Sequence, residues 1–422
     1  MSKIFVVVLS LALIVLGGCV QMPRLDLPSK TDAIREFTAR DALDVLGLPN
    51  MANAAALEAK VAQLRSGLLP DIAQALDLIR AGQAQAAGAT ARGVAVFVID
   101  DFSAWKFKDG RYHGQYVSAI IKIVAPDATV LTCDAWKSDL GECLFDANDL
   151  AKQGKVQVVN MSLGIMGTYC GFTPTSLEPP MLPDAEPPFE PTLSVTRDQE
   201  EALEHWVREL QANGVVVVSS AGNDGYRTGA KAPGCWSDLM VGAVYDEARP
   251  RVEWKACTDE NVNPDDRTCW SNYGNVFAPG AVIDKIFDDG ISFNGTSASA
   301  PFTSGVTALV IGTRKIKGAE AAKRIIDTSV KIPDRFNTKL PHVRIDAVNA
   351  TGVGAPPPPP PAQTLRGFLD KNKNCVLDDS EILTALSLWI TQSEWKTGSR
   401  ISDGEMIFLL QDWIKQNNIC GK

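Results

Sequence analysis

Apolar and polar positions alternate differently along successive stretches of the chain. Lys3 precedes an apolar run from Ile4 to Leu16, interrupted only by Ser10, which Gly17, Gly18 and Cys19 close. That run falls short of the ~20 residues needed to span a bilayer, so residues 1–18 read as a signal peptide. Residues 20–90 are rich in Ala and Leu, with breaks at Gly47, Pro49 and Pro70, a pattern for three short helices. Asp32 follows Ser29 at capping-box spacing, and the Ala/Gly-rich stretch 81–93 reads as a flexible exit. For residues 19–92 two roles stay open: a spacer, or a propeptide that is later removed.

At Gly93 the period changes. Val94 to Ile99 is a continuous apolar run that stops at Asp100 and Asp101, as a parallel strand buried on both faces would. A helix is expected from His113, where Val117, Ile120, Ile121 and Val124 recur at helical spacing. Strands follow at Val156–Met161, Val215–Ser219 and Leu239–Val244, with a helix from Arg197 to Ala212 between the first two. The fold class is therefore α/β, a mostly parallel sheet with helices on both faces, over residues 93–353. The prolines between Cys170 and Thr192 suggest a surface insertion. Pro356 to Pro361 is an unbroken proline run, a stiff linker over 354–362 ahead of a small all-α module at 363–422.

Composition narrows the partners. The net charge of −9 comes from dispersed acids with no basic stripe, which argues against nucleic acid. Of nine cysteines, Cys19 lies at the end of the apolar run, and Leu16-Gly17-Gly18-Cys19 resembles the bacterial lipobox, whose cysteine is acylated. That implies an exported lipoprotein anchored to a membrane through lipidated Cys19. Val20 is not the aspartate that retains lipoproteins at the inner membrane, which favours the outer membrane of a Gram-negative host. Eight cysteines remain, an even number that suits an oxidising compartment. Sequence proximity suggests Cys133–Cys143, Cys257–Cys269, Cys170–Cys235 and Cys375–Cys420. With no C-x-x-C and three histidines, a Cys/His zinc site has little material.

The segment Asn294-Gly295-Thr296-Ser297-Ala298-Ser299-Ala300-Pro301 precedes a helix whose Phe302, Val306, Leu309 and Val310 share a face. A serine at a helix start can be a plain N-cap, or a nucleophile whose oxyanion the helix N-terminus stabilises. The whole string resembles the nucleophile signature of subtilisin-like serine proteases, Gly-Thr-Ser-x-Ser-x-Pro. That resemblance implies a serine endopeptidase that hydrolyses polypeptides through an acyl-enzyme, with no metal in the chemistry. His113-Gly-Gln-Tyr-Val117 resembles the family's His-Gly-x-x-Val, whereas His205 falls within a helix pattern and His342 beside Pro341. Val98-Ile99-Asp100 resembles its Val-Ile-Asp, with Asp101-Phe102 where Ser/Thr-Gly is usual and only 13 residues from Asp100 to His113. The order Asp100, His113, Ser297 is that of subtilisins. Ser220-Ala-Gly-Asn223 resembles the oxyanion segment, with the Asn223 amide as donor. Asn160-Met-Ser162-Leu163-Gly164 resembles the strand that pairs with substrate backbone, and Ser271-Asn-Tyr-Gly274 with Ala278-Pro-Gly280 a further landmark. An inactive subtilase fold used as an anchored scaffold is the rival reading. No Gly-x-Ser-x-Gly or His-Glu-x-x-His points to another hydrolase class.

Beyond the proline run, Asp370, Asn372, Asn374, Asp378 and Glu381 stand at positions 1, 3, 5, 9 and 12 of a loop that resembles an EF-hand. The Val376 carbonyl fills position 7, so one calcium ion is expected. Cys375 replaces the glycine of the sharp turn, which weakens affinity. A second loop, Glu394 to Glu405, carries Lys396 at its third position and reads as a metal-free partner.

Overall fold

A computed structural model describes residues 34–37, 41, 70–107, 110–170, 191–254, 257–281, 293–333, 335–336, 338–353, 369, 379–390, 394–396, 399–401, 406 and 409–410. Its centre is a nine-stranded sheet. In chain order the strands are β1 (Ile34–Phe37), β2 (Ala95–Asp100), β3 (Thr129–Asp134), β4 (Val158–Met161) and β5 (Val216–Ser220). They continue with β6 (Leu239–Val244), β7 (Val276–Pro279), β8 (Val330–Lys331) and β9 (Val343–Arg344). The spatial order is β1-β3-β2-β4-β5-β6-β7-β9-β8. All pairs from β3 to β9 are parallel, and only the edge strands β1 and β8 run antiparallel to their neighbours.

The strands are apolar on both faces because helices cover both. Helices α1 (Pro70–Leu78), α2 (Ala81–Ala86), α3 (His113–Val124), α6 (Thr296–Arg314), α7 (Gly318–Thr328) and α8 (Ala347–Thr351) form one layer. Helices α4 (Leu140–Lys152) and α5 (Arg197–Ala212) form the other. Side chains of β2 divide between the layers by the two-residue period: Val96 and Val98 join the α3/α6 core, Phe97 and Ile99 the α4/α5 core. Asp100 shares the parity of Val96 and Val98, so it faces α3 and α6. Those two helices cross closely at Gly305, where a Cβ would lie 2.5 Å from Val124.

The expected strands and the helix Arg197–Ala212 stand within two residues of their positions, and β3 is added to them. The helical reading of 20–90 is right at α1 and wrong at Ile34–Phe37, which pairs with β3 at the sheet edge. The stretch 81–93, read as a flexible exit, is packed instead: Ala81, Ala84, Ala89 and Ala91 are buried in the α3/α6 core. Their side chains are too small to give an amphipathic signal, and the same smallness lets the chain lie close against α3 and α6. Thr90 shows this, its carbonyl oxygen lying 2.2 Å from where a Cβ on Gly312 would stand.

Two of the suggested disulfides are formed, Cys133–Cys143 and Cys257–Cys269. Cys235 is also disulfide-bonded, and the backbone of Cys170 pairs with Ala230. Cys19, Cys375 and Cys420 lie outside the described residues, as do the apolar run 4–16 and the proline run. In the C-terminal part, α9 (Asp379–Ile390) contributes Ile382, Ala385 and Leu386 to a small core with Leu369, Ile401, Met406 and Leu409. There Glu394–Lys396 and Ser399–Arg400 form an antiparallel hairpin, where an EF-like loop was expected to begin. Among the described residues no helix is long and apolar enough to cross a membrane.

Candidate active site

The sheet order places a switch point at β2 and β4. From β2 the chain moves outward to β3, then crosses back to β4 on the other side. Open α/β sheets bind ligands in the crevice at the carboxyl ends of such strands. Asp100 ends β2, and Ser162 follows the last residue of β4.

Asp100 and His113 meet there. His113 Nδ1 lies 2.6 Å from Asp100 Oδ1, both side chains are fully buried, and the same oxygen accepts the Asp101 N–H at 2.7 Å. His113 opens α3, whose start is fixed by the Gln115 side chain accepting the Tyr112 N–H at 2.8 Å. The 13-residue spacing suffices because Asp101 folds the connection tightly. Its Oδ1 accepts the N–H groups of Ser103 and Ala104 at 2.9 and 2.7 Å, and its Oδ2 that of Trp105 at 2.9 Å. Phe107 stacks on His113 with ring centroids 6.4 Å apart, and Phe293 meets it edge-on at 5.0 Å. Burial pushes the Asp100 carboxyl above its ordinary value of 3.8, against the pull of the His113 charge and of its hydrogen bonds from His113 and the Asp101 N–H. The direction is upward because no solvent reaches the pair.

Ser297 is the second residue of α6, and the N-cap is Gly295, at φ 126°. The plain capping role for Ser297 is thereby excluded: its hydroxyl donates to the Ser162 carbonyl at 3.2 Å. Asn223 follows β5. Its Oδ1 accepts both the N–H and the hydroxyl of Thr296 at 2.9 Å, and the Thr296 hydroxyl in turn accepts the Gly222 N–H at 3.1 Å. With the oxygen so committed, the amide turns its Nδ2 toward Gly295, 3.0 Å from where a Cβ would stand. The Ser271–Gly274 landmark acquires a local role as well. Asn272 Oδ1 accepts the N–H groups of Asp224 and Tyr226, and its Nδ2 donates to the Ala221 carbonyl at 2.9 Å, so it braces the loop that carries Asn223.

Ser162, Leu163 and Gly164 follow β4 at the same end of the sheet. The Leu163 carbonyl accepts the Ser220 hydroxyl at 3.3 Å, and the Gly164 N–H donates to the Pro191 carbonyl at 2.8 Å. Gly164–Ile165 pairs in parallel with Thr192–Leu193. The chain's own segment therefore lies along an edge expected to receive substrate. Sequence reasoning missed this pairing, which depends on how the proline-rich insertion returns, and also missed Asn160 and Ser304, whose contacts bridge distant segments.

Of the expected calcium ligands, Asp370, Asn372, Asn374, Val376 and Asp378 lie outside the described residues. Glu381 sits buried in the first turn of α9. Among the described residues no cluster of three or more His, Cys, Asp or Glu could hold a metal ion.

The model of the subtilase family matches residues 104–354, more than half of the chain, taking in His113, Asn223 and Ser297 and beginning just after Asp100. Subtilisin DY of Bacillus licheniformis is 28% identical over 141 residues, 32% of this chain and 47% of that protein. Subtilisin-like protease 3 of Pseudogymnoascus destructans is 32% identical over 131 residues, 29% of this chain and 28% of that protein. These matches span less than half the length of either relative. A crystal structure of a lanthipeptide protease aligns with TM-score 0.42 and 16% identity over 63% of this chain and 90% of its own, too loosely to bear on the reading. On the strength of the matched span, the chain belongs to the subtilase family.

Proposed function

We propose that the chain is a serine endopeptidase with Ser297 as nucleophile, His113 as general base and acid, Asp100 as orienting carboxylate and Asn223 as oxyanion donor. The observation that carries this reading is the buried 2.6 Å contact between Asp100 and His113 Nδ1. That contact fixes the tautomer in which Nδ1 bears the proton and Nε2 is the base. In the reaction, Ser297 Oγ attacks the scissile carbonyl carbon and its proton passes to His113 Nε2. Negative charge on the carbonyl oxygen is held by Asn223 Nδ2 and the backbone N–H groups that open α6, helped by the helix dipole. His113 then donates its proton to the leaving amine, an ester to Ser297 remains, and water deacylates it by the same route reversed. Asp100 stays ionised and stabilises the imidazolium formed in each half.

Polypeptides are the substrates, with their backbone laid along Ser162–Gly164, and a peptide that uses the Gly164 edge displaces Thr192–Leu193. The rest of the reading comes from the sequence pattern: export as a lipoprotein anchored at Cys19, and a calcium ion in the 370–381 loop of a C-terminal module beyond the proline linker. The deciding experiment is labelling by a fluorophosphonate probe. Wild type is labelled and Ser297→Ala is not, whereas absence of labelling in folded wild type favours the scaffold reading.

A further inference from the structure

A line of polar side chains runs through the interior beside Ser297. The Ser304 hydroxyl donates to Asn160 Oδ1 at 2.8 Å, Asn160 Nδ2 donates to Ser162 Oγ at 3.0 Å, and the Ser162 carbonyl accepts the Ser297 hydroxyl at 3.2 Å. All four residues are fully buried. Ser304 lies seven residues after Ser297 on α6, two helical turns on and on the same face. Asn160 lies in the middle of the sheet, in register with Val98 of β2 and Val218 of β5, and it shares the parity of Val158, which faces the α3/α6 core.

Packing alone does not call for these groups. The cross-strand neighbours of Asn160, Val98 and Val218, are valines, and buried polar networks are commonly no better for stability than apolar side chains of similar volume. What the asparagine adds is a fixed separation. It ties one turn of the nucleophile's helix to the residue after β4 whose carbonyl receives the nucleophile's hydroxyl. We infer that Asn160 and Ser304 are positioning residues, which fix the spacing between the end of β4 and the nucleophile's helix and so the place of Ser297 Oγ, whose proton turns from the Ser162 carbonyl to His113 Nε2 for attack. The inference rests on the serine-protease reading and assigns these residues no contact with substrate. Attack rates are steep in reacting-atom placement, so loosening this link acts on kcat ahead of KM.

The test compares Ser304→Ala with the pair Ser304→Thr and Ser304→Val, which differ from each other by a hydroxyl at nearly equal volume. Each is assayed for kcat and KM on a fluorogenic peptide, for the rate of fluorophosphonate labelling, and for thermal unfolding. Ser304→Ala is expected to lose about tenfold in kcat and in labelling rate with KM within about twofold of wild type. Thr should recover most of that loss and Val should not. The inference is overturned if Ser304→Ala, folded at the assay temperature, labels at the wild-type rate, if the loss appears in KM alone, or if Thr is no better than Val. The Thr and Val pair decides the matter where the alanine variant does not fold. Wild type that is not labelled at all would remove the protease reading itself, a result distinct from any of these.

Discussion

Two adjacent aspartates at the end of β2 have opposite duties, and exchanging each for asparagine separates them. Asp100 touches His113 and is fully buried, whereas Asp101 caps the loop by accepting three backbone N–H groups. Asparagine at 101 keeps one acceptor oxygen for Ser103 and Ala104 but presents an NH₂ group to the Trp105 N–H, so a charge-assisted bond becomes a donor–donor contact. Hydrogen bonds to charged groups contribute about 1.5–3 kcal/mol, so Asp101→Asn should cost about 2 kcal/mol. At about 2–4 °C per kcal/mol for a domain of this size, that lowers Tm by roughly 4–8 °C. Activity below the new Tm should be largely kept. Asp100→Asn should do the reverse, losing roughly 10⁴ in kcat through the wrong histidine tautomer while unfolding no more easily than wild type. The pH dependence of that comparison has a definite sign. Because burial lifts the folded-state value above 3.8, the aspartate's contribution to stability is complete below its unfolded pKa and is lost as pH rises through the folded one. The uncharged asparagine escapes this loss, so the variant should gain on wild type in urea titrations as pH is raised from about 4 toward neutral. Retained kcat in Asp100→Asn, a gap that closes as pH rises, or an inactive Asp101→Asn with unchanged Tm would refute the assignment.

The remaining expectations concern other parts of the chain. The Cys133–Cys143 bridge joins β3 to α4 across a separation of 10 residues, so Cys133→Ala/Cys143→Ala should lose about 3 kcal/mol in denaturant unfolding on the chain-entropy account; a loss below about 1 kcal/mol would contradict it. Leu193→Pro removes an N–H from the segment along Gly164–Ile165 and should lower KM for a peptide substrate severalfold, whereas an unchanged KM places substrate on another edge. Calorimetric titration of the whole protein with calcium should show a site in wild type that Asp370→Ala/Glu381→Gln removes; titration heats identical in the two rule out the 370–381 loop. Wild type should partition into detergent and Cys19→Ala should not, equal recovery of the two being evidence against lipidation.

How far the chain could be read in advance follows from what each part depends on. The strands Ala95–Asp100 and Leu239–Val244 announce themselves because a strand covered on both faces must be apolar at every position. Asp100 is legible from Val98-Ile99-Asp100, and the two-residue period that sends Val96 and Val98 toward α3 and α6 carries it to the same face. Ile34–Phe37 is four residues with two charges and carries no such period, so only its pairing with β3 reveals it as a strand. Asn160 and Ser304 are separated by 144 residues, and nothing local to either marks the contact.

The segment 70–92 makes its contacts with parts of the chain far from it in sequence. Arg80 reaches Asp346 with two hydrogen bonds of 2.7 Å, and the Ala347 N–H donates to the Ile79 carbonyl at 2.9 Å, so the segment is clamped to the far end of the domain. Gln85 Nε2 donates to the Val124 carbonyl at the C-terminus of α3, and the Thr90 N–H donates to the Thr313 hydroxyl near the C-terminus of α6. These are the two helices whose first turns hold His113 and Ser297. A segment that closes the distal ends of both acts as part of the scaffold that sets their spacing. Taking it away would expose orphan helix carbonyls and the core surface that Ile72, Leu76 and Ile79 cover, and would leave the Asp346 carboxylate without its cation.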